Sequence, residues 1–238
     1  MARVLQCSKL TSRQHAFRNV PVHPDDWSLL GMVWQGHYYV DKMLPFQLRL
    51  SPALFNTVAE LVCWILRHNY SIHDLEHYLD DYTGVAPPSS SVHCSTAAIQ
   101  KATFLQVFDN LGIPFATGAE KAVRTATVVT VLGIEVDSIE QVMRLPDEKL
   151  SVMLEALNDW STRASCTKRK LLTLIGTLSF AAKVVSPGRT FIRRVIGLSC
   201  PAPSLQSVIH IDTEAHLDIE WWRCFAANEN GKLFFHDG

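Results

Sequence analysis

The residues able to do chemistry concentrate in one stretch, His73-Asp74-Leu75-Glu76-His77-Tyr78-Leu79-Asp80-Asp81-Tyr82. Aromatic and aliphatic residues flank the adjacent carboxylates Asp80 and Asp81, so the pattern predicts a β-hairpin that presents its acids at the tip. Ionised carboxylates this close repel each other, and a hard divalent cation that takes oxygen ligands is their natural counter-charge. An acidic pair at a turn is also ordinary surface chemistry, so the dipeptide alone identifies no catalyst. The stretch overlaps a second pattern, His-x-x-Glu-His at His73, Glu76 and His77. In zinc peptidases its two histidines hold metal and its glutamate activates water. That geometry needs a helix, so that residues four apart share a face. Here the segment leads directly into the expected strand, and a zinc-dependent hydrolase stands as a minor alternative.

The elements that must position Asp80 and Asp81 can be read on either side. Ala16 to Val22 reads as a short strand closed by His23-Pro24-Asp25-Asp26, with Pro21 favouring an edge. Leu29 to Trp34 and His37 to Val40 flank Gln35-Gly36, which reads as a two-residue hairpin loop. A core helix comes next: Ser51 can cap it, Pro52 suits its first position, and Leu54, Phe55, Val58, Leu61, Val62, Ile65 and Leu66 recur at helical spacing. Beyond the acidic hairpin, a loop over 87–91 precedes a helix from about Val92 to Leu111, with Gly112 as its C-terminal cap. Strands surround Gly133, with a turn at Asp137 to Glu140. From Pro146 the pattern becomes helical: Pro146 to Trp160, Lys168 to Val185 opened by Thr167, a basic helix Arg189 to Ile196, and Thr213 to Ala227. Helices with a mostly antiparallel sheet in this order predict an α+β layer fold.

Composition narrows the function classes. The chain has 238 residues, 47% hydrophobic and 19% charged, enough for one large core or two small ones. Its formal charge is −1, from 22 Lys plus Arg against 23 Asp plus Glu, which excludes a generic polycation that binds nucleic acid by bulk charge. Basic residues nevertheless cluster at Arg163, Lys168, Arg169, Lys170, Lys183, Arg189, Arg193 and Arg194. A solvated face and a phosphate-binding face fit that cluster about equally. Six scattered cysteines without a Cys-x-x-Cys pair argue against a disulfide framework or a cysteine-rich zinc site. No signal-peptide core and no run of about eighteen apolar residues is present, so a cytoplasmic or nuclear protein without a membrane partner is expected.

Several motifs now stand in a recognisable order: Ala16-Phe17-Arg18, then Val20-Pro21-Val22-His23-Pro24-Asp25-Asp26, then Leu44-Pro45-Phe46-Gln47-Leu48-Arg49 to Ser51-Pro52 and Phe55-Asn56, then Tyr78-Leu79-Asp80-Asp81. This series resembles the palm of a reverse transcriptase of retroelements, closest to the DIRS type, from about Lys9 to Trp222. The resemblance implies a palm with residual fingers over 1–145 and a helical thumb over 146–197. It also implies a linker over 198–238 that begins a connection toward an absent ribonuclease H domain. The activity it implies is template-directed DNA synthesis, a nucleotidyl transfer from deoxynucleoside triphosphates on an RNA or DNA template-primer duplex, assisted by two Mg2+ ions. Asp80 and Asp81 would be catalytic metal ligands, and Lys121 would lie near the triphosphate. Phe17 and Gln47 would contact the incoming nucleotide. Tyr78, Leu132 and Gly133 would position the substrate, and Lys168, Arg169, Arg189, Arg193 and Arg194 would touch phosphates.

The chain also departs from that pattern. The family places an aspartate four residues before the alanine of Ala-Phe-Arg, where Ser12 stands, and a hydroxyl lacks the charge and second oxygen needed to bridge two ions. Gln47 stands where the family has glycine. Most of the fingers is missing. The chain is therefore expected to be inactive or very weak as a polymerase, the alternatives being a non-catalytic nucleic-acid-binding scaffold or a degraded retroelement fragment.

Overall fold

The computed structural model describes residues 6–11, 16–87, 96–113 and 126–233. The chain forms two compact units, Met1–Val129 and Thr130–Gly238, dividing ahead of the subdomain boundary expected near residue 146.

The first unit is built on a three-stranded antiparallel sheet of β1 (Gln6–Thr11), β4 (Leu75–Tyr78) and β5 (Asp81–Ala86), with β5 in the middle. Between β1 and β4 come two 3-10 helices, Ala16–Asn19 and Pro24–Leu30, then the hairpin β2 (Gly31–Trp34) and β3 (His37–Val40), then α1 (Ser51–Tyr70). Helix α2 (Thr96–Asn110) closes the unit. Strand β5 alternates as a half-buried strand must: Tyr82, Gly84 and Ala86 face inward. Tyr82 meets the rings of Phe104 and Phe108 edge-on at 5.1 and 5.3 Å. Burial pushes its phenol well above the usual range. The inner face of α1 carries Phe55, Ala59, Val62, Cys63 and Leu66, and burial raises the Cys63 thiol to about 11.

Three local expectations change. Ala16 to Val22 is not a strand: beyond a 3-10 turn the chain makes a single bridge, Pro21 to Met43, and the Val20 N–H that the next rung would need turns back onto the Phe17 carbonyl. Ser51 does not cap α1; it is buried, and its hydroxyl donates to the Pro45 carbonyl at 2.6 Å. Leu54 and Leu61 face outward, so the buried stripe of α1 is narrower than its apolar spacing suggested. The Gln35-Gly36 loop forms as expected, with both residues at positive φ, and Gly112 ends α2 at φ 66°.

The second unit contains the antiparallel strands β7 (Ile134–Asp137), β8 (Val142–Arg144) and β11 (Lys232–Leu233), with β6 (Val128–Val131) at the division completing the order β11-β8-β7-β6. A two-stranded ribbon joins β9 (Ser165–Thr167) to β10 (Val208–His210), so part of the expected linker is sheet. Helices α3 (Asp147–Ser161), α4 (Lys168–Ala181), α5 (Arg193–Ser199) and α6 (Thr213–Phe225) enclose Leu157, Leu171, Leu178, Val185, Ile219 and Trp222; a 3-10 stretch, Ser186–Ile192, precedes α5. That stretch holds Pro187 and Gly188, and Gly188 lies so close to the Trp222 ring that a Cβ would overlap it. Thr167 caps α4 and Asp212 caps α6, each through a side-chain oxygen. Asn230 bonds both the N–H and the carbonyl of Leu145, at 2.8 and 3.0 Å. That clasp holds the chain after α6 to the start of α3.

Candidate active site

Strands β4 and β5 meet through Leu79 and Asp80, and the register pairs Tyr78 with Asp81. Leu79 adopts φ 53°, which lets a two-residue connection reverse the chain, and its side chain tucks against the core of the first unit. Asp80 therefore sits in the turn and Asp81 opens β5, as the acidic-tip reading required. Tyr78 stands beside them with 61% of its surface exposed.

Pairing of β1 with β5 adds what the sequence did not reveal: Thr11 lies directly across from Asp81. Ser12 and Lys121 lie outside the described residues. Ser12 nevertheless comes next after Thr11 in the chain, so the position where the resemblance requires a third carboxylate is one residue past the partner of Asp81. The signal was long-range strand pairing, which local residue patterns do not encode.

The first unit also holds the other nucleotide-site candidates among aromatic and paired polar groups. Phe17, half-buried in its 3-10 helix, meets Phe46 and Phe55 edge-on, each at 5.1 Å. Arg18 binds Asp41, whose carboxyl is held below its usual range chiefly by that guanidinium. Gln47 occupies the turn before α1 at φ 72°. A left-handed backbone that glycine would take without cost is thus adopted by a residue with a Cβ.

His73, Glu76 and His77 are not on a helix; His73 is in a loop and the other two are in β4. Among the described residues no group of three or more His, Cys, Asp or Glu could hold a metal ion, so the zinc-hydrolase alternative loses its geometric basis. Asp80 and Asp81 offer hard oxygen ligands of the kind magnesium takes. Among the described residues no third carboxylate joins them in a group that could hold a metal ion.

In the second unit, Leu132 and Gly133 form the β6–β7 turn at φ 49° and 81°. Lys149, near the start of α3, donates to the Gly133 carbonyl at 3.2 Å, and its ammonium lies 5.0 Å from the centre of the Phe180 ring. The next turn is clamped by Arg144, which binds Glu135, Glu140 and Asp137 at 2.7, 2.6 and 3.3 Å. Backbone N–H groups of Glu140 and Ile139 hold Asp137 below the usual carboxylate range. Neither Lys149 nor Arg144 was singled out from sequence: Lys149 acts on a turn 16 residues away, and Arg144 on partners that only the pairing of β7 with β8 brings together.

The five basic candidates differ in what they already bind. Lys168 donates to the Ala202 carbonyl at 2.6 Å, and Arg194 pairs with Glu214 and Asp218 at 3.2 and 3.1 Å. Desolvation raises the Asp218 carboxyl against the lowering effect of Arg194. Arg169, Arg189 and Arg193 are exposed. Helices α3 and α4 flank a groove of about 710 Å³, lined in part by Lys149, Val152, Thr173, Gly176, Thr177 and Phe180.

No family model and no curated protein matches the chain. Solved structures do. A foamy viral protease-reverse transcriptase in complex with double-stranded DNA aligns over 98% of this chain at a TM-score of 0.70 and 17% identity. The same type of protein with an RNA/DNA hybrid aligns over 96% at 0.69 and 19% identity. Another double-stranded DNA complex aligns over 98% at 0.70 and 18% identity. The fold is that of a reverse transcriptase. The first unit, with its acidic hairpin and packed helices, and the largely helical second unit agree with the α+β palm-and-thumb class read from sequence. This chain spans 37%, 28% and 44% of the three reverse transcriptase chains, less than half of each. Among the described residues no helix is long and apolar enough to cross a membrane.

Proposed function

We propose that this chain binds template-primer duplexes on a reverse-transcriptase palm and thumb of retroelement, DIRS-like type, and transfers nucleotides at a rate near background. The observation that carries the reading is the acidic tip: Asp80 and Asp81 at the β4–β5 turn, with Thr11 across from Asp81 and Ser12 next in the chain. The neighbours support a duplex ligand, since the matched reverse transcriptases were captured with double-stranded DNA or an RNA/DNA hybrid. Exposed Arg169, Arg189 and Arg193 are the candidate phosphate contacts, which position a duplex without reading its sequence.

Asp80 and Asp81 would hold Mg2+, which when bound supplies charge neutralisation and a lowered pKa for the attacking hydroxyl. The residues themselves limit the chemistry. A serine at position 12 removes one negative charge from the site. Loss of one charge-stabilising group in other active sites costs about 3–4 kcal/mol, or about 10²–10³ in rate. Phe17 is suited to pack against a sugar, and Gln47 narrows the approach that glycine would leave open.

The test titrates the protein with a labelled RNA-template, DNA-primer duplex in magnesium and monitors extension by deoxynucleotides, with Ser12→Asp alongside. The expected outcome is binding by both proteins and extension by the variant alone, abolished again by adding Asp80→Asn. Extension by the wild type at a rate equal to the variant would overturn the claim of impairment. Failure of both proteins to bind would overturn the duplex-binding reading.

A further inference from the structure

From Phe17 to Met43 no residue is fully buried; the first that is, Leu44, comes next. Phe17, Val20 and Val22 touch the core of the first unit only from its margin. Apolar burial alone therefore does not fix the 3-10 turn that carries Phe17, and polar contacts must do so. They converge on the segment that leaves β3. The Leu44 N–H donates to the Val20 carbonyl at 2.8 Å, and the Val22 N–H donates to the Lys42 carbonyl at 3.0 Å. Asp41 stands at the head of that segment and has three partners. Its N–H closes the base of the β2–β3 hairpin on the Leu30 carbonyl at 3.1 Å, its Oδ1 accepts the Met43 N–H at 3.2 Å, and its Oδ2 takes the Arg18 guanidinium. The carboxylate is the sheltered member of that ion pair, with 11% of its side chain exposed against 42% for Arg18. Charge-assisted bonds of this kind are stronger than neutral ones.

Both nucleotide-site candidates hang on these contacts. Phe17 directly precedes Arg18 and meets the Phe46 ring edge-on at 5.1 Å; Phe46 directly precedes Gln47. We infer that Asp41 is a positioning residue of the nucleotide site, its carboxylate locking the turn that carries Phe17 to the segment that carries Phe46 and Gln47. The inference rests on the reading of Phe17 and Gln47 given above. The other polar anchors lie at the far end of the turn: Trp27 donates to the Val22 carbonyl at 2.9 Å, and Lys42 lies 4.7 Å from the centre of the Trp27 ring. They hold Val22 and leave the placement of Phe17 to Arg18 and Asp41. A misplacement of about 1 Å in a positioning element can cost about 10²-fold, so loss of the lock is read in nucleotide affinity and sugar choice.

The test needs no turnover. A labelled template-primer whose primer ends in a dideoxynucleotide is bound in magnesium, and the complementary deoxynucleoside triphosphate or its ribonucleotide counterpart is titrated in. Nucleotide that binds the complex tightens the protein's hold on the duplex. Asp41→Asn keeps an oxygen for the Met43 N–H and removes the charge that faces Arg18; Arg18→Ala removes the other partner, and Arg18→Lys keeps a cation. The expected result is a wild-type complex tightened more by the deoxynucleotide than by the ribonucleotide. Asp41→Asn and Arg18→Ala should each weaken deoxynucleotide binding at least about fivefold and narrow that preference, and Arg18→Lys should stay within about twofold of wild type. The double variant should be no worse than the poorer single one, because both remove the same pair. Thermal melts followed by circular dichroism report the fold separately. A lower melting temperature with affinity and sugar preference unchanged makes the pair structural only and overturns the inference. Equal weakening for both sugars overturns it too, as does a double variant worse than either single one. Duplex binding that no nucleotide tightens overturns the inference and leaves the duplex reading standing, whereas absence of duplex binding overturns both.

Discussion

Gln47 holds a backbone conformation that side chains with a Cβ rarely adopt, at φ 72° in the turn that leads into α1. A non-glycine residue in that region costs on the order of 1 kcal/mol or more, whereas glycine enters it freely and loses instead some unfolded-state entropy. The two terms oppose each other, and the strain is the larger. Gln47→Gly should raise stability by about 0.5–1 kcal/mol, and Gln47→Val, with a branched Cβ, should lower it; urea melts of both variants check the sign. Sequence comparison with the reverse-transcriptase pattern marked the position as a substituted glycine. Only the backbone shows that the turn holds a conformation glycine would enter freely. Asp80 and Asp81 were legible because a hairpin and its tip are coded locally. Thr11 was not, since its role comes from pairing with a strand distant in the chain.

At the level of elements, two glycines look alike in sequence and differ in what surrounds them. Gly133 takes φ 81°, and a Cβ there would meet the end of the Lys149 side chain, which can swing away. Gly188 has no such escape: its Cβ would run into the ring of Trp222, fully buried in the core of the second unit. Gly188→Ala should therefore cost at least about 1–3 kcal/mol, the range for overpacking a filled core. Gly133→Ala should cost about 1 kcal/mol from its φ alone, and should cost the same in a Lys149→Ala background. Equal losses for the two glycines, or rescue of Gly133→Ala by removing Lys149, would contradict this account. The helices of this unit were well read from their 3.6-residue spacing and caps, Thr167 most clearly. The strand at Ala16 to Val22 was misread because alternation there is too short to distinguish a strand from a 3-10 turn.

For the molecule as a whole, a formal charge of −1 coexists with a proposed polyanionic ligand, so binding must come from local clusters. Log affinity for duplex should fall linearly with log salt, and each lost phosphate contact should lower the slope by about 1. Arg189→Ala and Arg193→Ala are expected to do so while leaving the melting temperature nearly unchanged. Arg194→Ala should behave differently. Removing it leaves Asp218, already raised by burial, without its cation, and breaking a pair of that kind costs up to about 3–5 kcal/mol for full burial, less here because Arg194 is 54% exposed. A lower melting temperature with an unchanged salt slope would separate structure from contact. From sequence the basic residues formed one undivided cluster, because an ion pair with a residue of α6 leaves no trace in local composition.

The pairing of Thr11 with Asp81 has one more consequence. A ladder of six consecutive partners from Gln6 and Ala86 to Thr11 and Asp81 works as a ruler laid against the acidic tip, its graduations one residue apart. Any insertion or deletion within β1 would slide the scale and change every partner beyond it. The calibration thus belongs to the whole strand pair and not to the letter written at any one graduation.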